Sequence, residues 1–195
     1  TAERLPRLID TMVSGFSDDP LYVWLYPDPA QRRASLTATF DLMLRAGLER
    51  GLVRCTDDHR AVAIWTAPGD DLLDDTVLDD WMQLLHRDAP DRVEDALAAM
   101  SACATHAPTE PHWALHLVVV HADHQGCGIG TALLRSTLSD VDATGAPAYL
   151  ESSNVQNLRA YRRLGFAVVG EVPIAGGPIM RPMARPPVPR DRRAD

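Results

Sequence analysis

Cysteine is scarce. The 195 residues hold three, Cys55, Cys103 and Cys127, widely spaced and with no CxxC pair. An odd, scattered set argues against a disulfide framework or a structural zinc site and fits a reducing, cytoplasmic setting. Long apolar runs are missing too. Runs such as Leu117 to Val120 are strand-sized, far below the roughly 18 residues of a membrane span. No basic segment followed by an apolar stretch stands near Thr1, so no secretory leader is expected. Positive charge is in deficit: 19 Lys and Arg face 27 Asp and Glu, a formal net charge of −8. A nucleic-acid partner usually leaves a basic footprint, so none is expected. Acidity of this degree serves solubility first, although it can also draw cationic small molecules. What remains is ordinary for a soluble globular chain, 46% hydrophobic and 24% charged, of a length that suits one domain.

Apolar periodicity places the elements. Leu5, Leu8, Ile9, Met12 and Phe16 recur at helical spacing, until Ser17-Asp18-Asp19-Pro20 breaks the pattern. A loop follows, carrying Tyr22, Trp24 and Tyr26. Asp28-Pro29 caps and opens a second helix with Leu36, Phe40, Met43, Leu44 and Leu48 on one face, ended by Gly51. Leu52–Thr56 and Arg60–Ala67 read as a hairpin across Asp57-Asp58-His59. From Asp70 to Ala107 the chain is acidic and helical, divided at Pro90. Trp113–Val120 is a strongly apolar strand. A glycine-rich turn from His124 to Gly130 leads into a helix, Ile129–Val141. A strand at Ala148–Glu151, a helix at Val155–Leu164 and a closing pair of strands, Phe166–Val172 and Ile179–Met183, complete the order. The chain is therefore α/β with a mixed sheet, and its strand–helix–strand units should be right-handed crossovers. A tail from Arg185 to Asp195 should be frayed.

The sharpest chemical signal is Gln125-Gly126-Cys127-Gly128-Ile129-Gly130-Thr131, after a buried strand and before a helix. Alternating glycines let backbone approach a ligand closely, and a helix start offers free N–H groups and a positive dipole end. Together these suit a phosphate. The run lacks the terminal lysine of a P-loop and the last gap of the dinucleotide fingerprint. On its own it reads equally well as a tight turn that binds nothing.

The run Gln125-Gly126-Cys127-Gly128-Ile129-Gly130 resembles the Q/R-x-x-G-x-G/A signature of the GNAT superfamily of acyl-CoA-dependent N-acyltransferases. Asn154, Tyr161 and Gly165-Phe166 are similar to its downstream signature. Several patches resemble its puromycin N-acetyltransferase branch: Pro111-His112-Trp113, His124-Gln125-Gly126, Tyr149 to Ser153, Asn157-Leu158, and Ala61 to Thr66. The sequence departs from the pattern at Cys127, where a basic residue is common, and at Ala122, where proline is common. The family's first strand has no counterpart before the first helix.

The resemblance implies a GNAT-like fold: a mixed, mostly antiparallel sheet with a central splayed parallel pair of strands and helices on both faces. It implies one domain over residues 1–184, with a substrate-side half (1–111) and an acetyl-CoA-binding half (112–184), then the tail 185–195. Acetyl-CoA would bind as cosubstrate through Val118, Val119 and Val120, through the turn from Gln125, Gly126, Cys127, Gly128, Ile129 and Gly130 to Thr131, and through Asn157. The expected reaction is direct acetyl transfer to a small primary amine in a ternary complex, without metal and without a cysteine-linked intermediate. Tyr161 would protonate the departing sulfur; its alternative is a tyrosine packed in the core. Glu151 ranks first as general base and His116 second, since His112 and His116 share one face by period-two geometry and histidine titrates near neutrality. Tyr22, Trp24 and Tyr26 would hold the acceptor, with Trp65 and Trp81 as further aromatics that suit the core equally. The acidic run Asp70 to Asp80 either lines the path of a cation or is a solvated helix face. A homodimer is an open expectation. Two rivals stand beside this reading, a non-catalytic acyl-CoA-binding module and a protein-lysine acetyltransferase.

Overall fold

The computed structural model describes residues 4–188. Aspartate caps open three of the helices. The Asp19 carboxylate accepts from the Leu21 N–H and opens α2 (Pro20–Leu25), and the Asp28 carboxylate accepts from the Gln31 N–H and opens α3 (Pro29–Arg50). Each satisfies a backbone donor that would otherwise lack a partner, and proline follows where its missing N–H costs nothing. Ahead of them, α1 (Arg4–Phe16) turns Leu8, Met12 and Val13 inward. The segment expected as an aromatic loop is thus the helix α2. The hairpin forms as expected from β1 (Leu52–Cys55) and β2 (Ala61–Thr66), with His59 in the left-handed region at the bend. Asp74 caps α4 (Asp75–Asp88), and a short 3-10 turn at Pro90 separates it from α5 (Val93–Ala104).

The second half runs β3 (Trp113–Val120), α6 (Ile129–Thr144), β4 (Ala148–Ser152), α7 (Leu158–Arg163), β5 (Ala167–Val168), β6 (Val172–Pro173) and β7 (Ile179–Arg185). The single strand expected over Phe166–Val172 is two short pieces, both paired antiparallel with β7. Gly170 lies between them with the His106 ring against its Cα, where a side chain would collide. Arg185 opens no tail. It closes β7, buried and bonded to Asp142 and to the Leu164 carbonyl. Of the expected tail, residues 189–195 lie outside the described residues.

The sheet has seven strands in the order β1-β2-β3-β4-β7-β5, with β6 also on β7. All its pairs are antiparallel except β3 with β4. Strand β2 is buried at every position because it is covered on both faces. Val62 and Ile64 join the core under α1–α5, while Ala61, Ala63 and Trp65 join the core under α6 and α7. Among the described residues, no helix is long and apolar enough to cross a membrane.

Candidate active site

Two features of β3 build the site. The first is a bulge: Ile64 faces Leu117 and Trp65 faces Leu115, so His116 is the extra residue. A bulge bends its strand and re-aims a side chain. Here it also reverses the facing of odd-numbered residues: Trp113 and Leu115 pack toward α6 and α7, but Leu117 and Val119 pack toward α1–α5. The second is that β4 follows β3 only from Trp113↔Ala148 to Leu115↔Leu150. Beyond that pair the two strands separate, and among the described residues no strand lies beside the edge of β3 from His116 onward on that side.

The gap between them is a cleft of about 170 Å³, lined among others by Val118, Glu151, Ser153, Asn157, Tyr161 and Tyr22. A second, larger cavity of about 660 Å³ lies between the loops after β2 and before β3 and the end of α5. The two share Leu115, His116, Leu150 and Glu151 as lining. The candidate base therefore stands where a narrow cleft and a roomy cavity meet.

At the far end of β3 lies the glycine turn. Gly126 and Gly128 have positive φ, 77° and 81°, and a Cβ on either would meet nothing within 4 Å. Their open side faces solvent rather than protein. Among the described residues, the backbone N–H groups from Gly126 to Thr131 make no backbone hydrogen bond; the first such bond of α6 runs from Ala132 N–H to the Gly128 carbonyl. This row of free donors at the start of a long helix fits a pyrophosphate. Gly130 sits close against Val120, 3.1 Å from where its Cβ would stand. Gln125 departs from expectation. Its N–H donates to Ala122, and its side-chain amide donates to the carbonyls of both Gly15 and Val120, 3.1 Å each. It braces the turn against α1 and β3 and has no donor left for a ligand. Cys127 is exposed in the same turn.

Other expected residues separate by position. Val118 lines the cleft, Val119 is buried toward α1, and Val120 packs toward α6. Asn154 caps the 3-10 turn before α7, leaving Asn157 to face the cleft. Of the three aromatics expected to hold the acceptor, only Tyr22 reaches the cleft, edge-on to Phe16 and Phe40. Trp24 and Tyr26 are core residues, and Arg92 stacks over the Trp24 ring. They cannot contact an acceptor without unpacking the core. Trp65 is fully buried and Trp81 packs against the core edge.

Electrostatics sort the ionisable groups. Burial holds the Glu151 carboxyl above the usual carboxylate range despite a hydrogen bond from Tyr149, which makes it a stronger base than a solvated glutamate. Burial pushes His116 down to about 4. It is therefore neutral at pH 7, and its Nε2 is 2.8 Å from the Thr66 hydroxyl. Burial, then the nearby Asp19 carboxyl, raises Tyr161 well above an ordinary phenol, so its proton stays in place at neutral pH. Among the described residues the Tyr161 hydroxyl makes no hydrogen bond, and it lies at the cleft. No group of three His, Cys, Asp or Glu among the described residues could hold a metal ion.

Two participants were not anticipated. Asp19 lines the cleft and accepts a 2.7 Å hydrogen bond from Ser153, so it both caps α2 and ties it to the end of β4. In sequence it showed only as a turn residue before Pro20. Tyr149 has its hydroxyl 2.8 Å from the Cys103 carbonyl and 3.1 Å from Glu151 Oε1. The period-two pattern of β4 places Tyr149 and Glu151 on one face, a signal that was available in the sequence.

Comparison with known proteins agrees with this geometry. An uncharacterised N-acetyltransferase of Schizosaccharomyces pombe is 28% identical over 173 residues, covering 80% of this chain and 68% of that protein. The L-amino acid N-acyltransferase MnaT of Escherichia coli is 37% identical over 68 residues, 33% of this chain and only 40% of that enzyme. A crystal structure described as histone acetyltransferase HPA2 and related acetyltransferase, from Corynebacterium glutamicum, superposes with a TM-score of 0.70 at 25% identity, covering 98% of this chain and 95% of that one. Residues 52–166 match the acetyltransferase (GNAT) family, so the chain belongs to that family and is an N-acetyltransferase.

Proposed function

We propose that the protein transfers the acetyl group of acetyl-CoA directly to a primary amine of a small molecule. The observation that carries this reading is the meeting of two cavities at His116 and Glu151, one leading along β3 to the glycine turn, the other wide enough for an acceptor. The free N–H groups from Gly126 to Thr131 suit the pyrophosphate of coenzyme A. The unpaired edge of β3 suits its pantetheine amides, which would bind as an added strand. Asn157 faces the same path. The likeness of several patches to the puromycin N-acetyltransferase branch supports a small amine as acceptor.

An ammonium has no lone pair, so the acceptor must first lose a proton, and Glu151 is placed and tuned to take it. The free amine attacks the thioester carbonyl carbon, a carbon–nitrogen bond forms, and the carbon–sulfur bond breaks. Tyr161 donates a hydrogen bond to the sulfur as negative charge collects there. Its raised proton affinity exceeds that of a thiol, so it stabilises the thiolate. A proton released from the amine nitrogen completes the thiol, and the other leaves to solvent through Glu151. His116, neutral and held by Thr66, orients the junction without competing for the proton.

The test is acetyl-CoA consumption with and without a primary amine, with the acetylated product identified by mass. The chain contains no lysine, so its own side-chain amines add no background. Intersecting initial-rate patterns and full retention of activity in Cys127→Ala are expected for direct transfer. Parallel patterns, or loss of turnover in Cys127→Ala with intact binding, would point to a covalent acetyl-enzyme instead. Binding of coenzyme A with no transfer to any amine would leave a binding module.

A further inference from the structure

Tyr149 has one hydroxyl proton and two acceptors within reach. Its oxygen lies 2.8 Å from the Cys103 carbonyl, at the end of α5, and 3.1 Å from Glu151 Oε1. The residue is buried, with the His112 ring edge-on to its own, so the hydroxyl is held at this fork. The two acceptors are unequal. The Cys103 carbonyl already accepts from the His106 N–H at 2.9 Å, so it keeps a partner when the hydroxyl turns away. A carboxylate accepts more strongly than a neutral carbonyl, whereas a carboxylic acid does not. The Tyr149 proton therefore goes to Glu151 when that side chain is ionised and to Cys103 when it is not. Among the described residues, Glu151 Oε2 makes no hydrogen bond, which leaves it free to meet an acceptor.

Other groups around Glu151 do not share this role. His116 is neutral and held by Thr66, and His112 turns its Nδ1 to the Glu110 carbonyl. Asp70, Asp71 and Glu110 line the cavity, and Asp19 and Tyr161 line the cleft; among the described residues none of them bonds Glu151. On α5, burial pushes the Cys103 thiol up to about 12, so it stays neutral. On β7, the residue opposite Glu151 is Pro182, and Arg181 beside it pairs with Glu171.

Resting on the amine-transfer reading above, we infer that Tyr149 is a positioning residue for the base. Its hydroxyl holds Oε1 while the Glu151 carboxylate is ready to take a proton, and it swings to the Cys103 carbonyl once the proton is taken. The bond favours the ionised base and opposes burial, which favours the protonated one. Tyr149 thus sets the pH at which the base becomes available.

The experiment follows the Glu151 carboxyl carbon by NMR in protein carrying isotope-labelled glutamate, the signal being assigned by its loss in Glu151→Gln. In parallel, kcat/KM for one primary amine is measured against pH. Tyr149→Phe removes only the hydroxyl. Glu151 should then titrate about one pH unit higher, and kcat/KM should fall about tenfold on the acid limb, with a smaller loss on the plateau. Ionisation of the amine and of His112 is common to both proteins and cancels in the comparison. Replacing Tyr149 by meta-fluorotyrosine strengthens the donor without removing it, so the titration should move down instead. That protein keeps the bond network and decides the matter even where the phenylalanine variant unfolds. A Glu151 titration unmoved by meta-fluorotyrosine, or a loss of kcat/KM in Tyr149→Phe that is equal at every pH, would overturn the inference. Failure of the wild type to acetylate any amine would instead overturn the amine-transfer reading itself, while the titration still reads the bond.

Discussion

Tyr161 and His116 show how burial assigns work at the scale of one residue. Tyr161 keeps its proton because burial and Asp19 disfavour the phenolate, which makes it a donor and not a base. Tyr161→Phe preserves the ring and its packing on Phe166 and removes only the donor. A fall in kcat of about 100-fold or more, with little change in acetyl-CoA affinity, is expected for a contact made mainly in the transition state. Near-normal kcat with a lowered melting temperature would mark the hydroxyl as structural. His116 makes a different prediction. Its folded-state pKa of about 4 lies below the unfolded value near 6.5, so the stability it contributes is present above pH 6.5 and is lost as pH falls toward 4. The loss approaches about 3 kcal/mol at most, and less because the ring is only part-buried. Glu151 and Asp19 are shifted upward and act in the opposite sense, losing stability as pH rises through their raised values. Urea midpoints at about pH 7 and pH 5 should therefore drop more on acidification in the wild type than in His116→Gln, which keeps a partner for Thr66. Equal drops would show that His116 stays protonated in the folded state. Tyr161, Glu151 and His116, singled out in the sequence by spacing and resemblance, all line the cleft. Sequence reading misplaced Trp24 and Tyr26, because an aromatic cluster after a helix reads the same whether it faces a ligand or a core.

At the scale of elements, the site depends on where pairing stops. Periodicity reveals that a strand exists, and it identified β2, β3 and β4. It is silent on the bulge at His116 and on the parting after Leu115↔Leu150, because both depend on what the neighbouring strand does. The same limit explains Phe166–Val172: its β-forming residues suggest one strand, while two separate stretches of it pair with β7. The glycine turn was more legible, since only glycine tolerates the positive φ of Gly126 and Gly128 without strain. Gly128→Asp places a negative charge and a side chain among the free N–H groups. It should weaken coenzyme A binding at least 100-fold by calorimetry, a few kcal/mol, in line with an unpaired like charge at a closed contact. Unchanged affinity in a folded variant would remove the phosphate role of the turn. Gln125→Ala should cause a smaller loss, about tenfold, because the turn keeps its donors but loses its brace to Gly15 and Val120.

For the whole molecule, α6 and α7 must stay tied to their face of the sheet for the cleft to keep its width. Arg185 provides one such tie. Its guanidinium bonds both carboxylate oxygens of Asp142 at the end of α6, and its Nε donates to the Leu164 carbonyl at 2.8 Å, where the chain leaves α7. One side chain thereby joins β7, α6 and α7, and it is nearly buried, with 10% of its side chain exposed against 32% for Asp142. Arg185→Ala leaves a part-buried carboxylate and a carbonyl without their partner. The expected cost is about 2–4 kcal/mol, toward the lower end because water reaches Asp142. Arg185→Lys should recover only part of it, since an ammonium cannot span the carboxylate and the carbonyl in one plane. The catalytic consequence is separable from the structural one. The tie lies at the C-terminal end of α6, and over its 16 residues that helix places the glycine turn about 24 Å away. Below its lowered melting temperature, Arg185→Ala should therefore retain wild-type kcat and coenzyme A affinity, the converse of Tyr161→Phe. A variant of unaltered stability would show that Arg185 is dispensable to the join. A stable variant with impaired coenzyme A binding would show that α6 transmits strain from its last turn to its first.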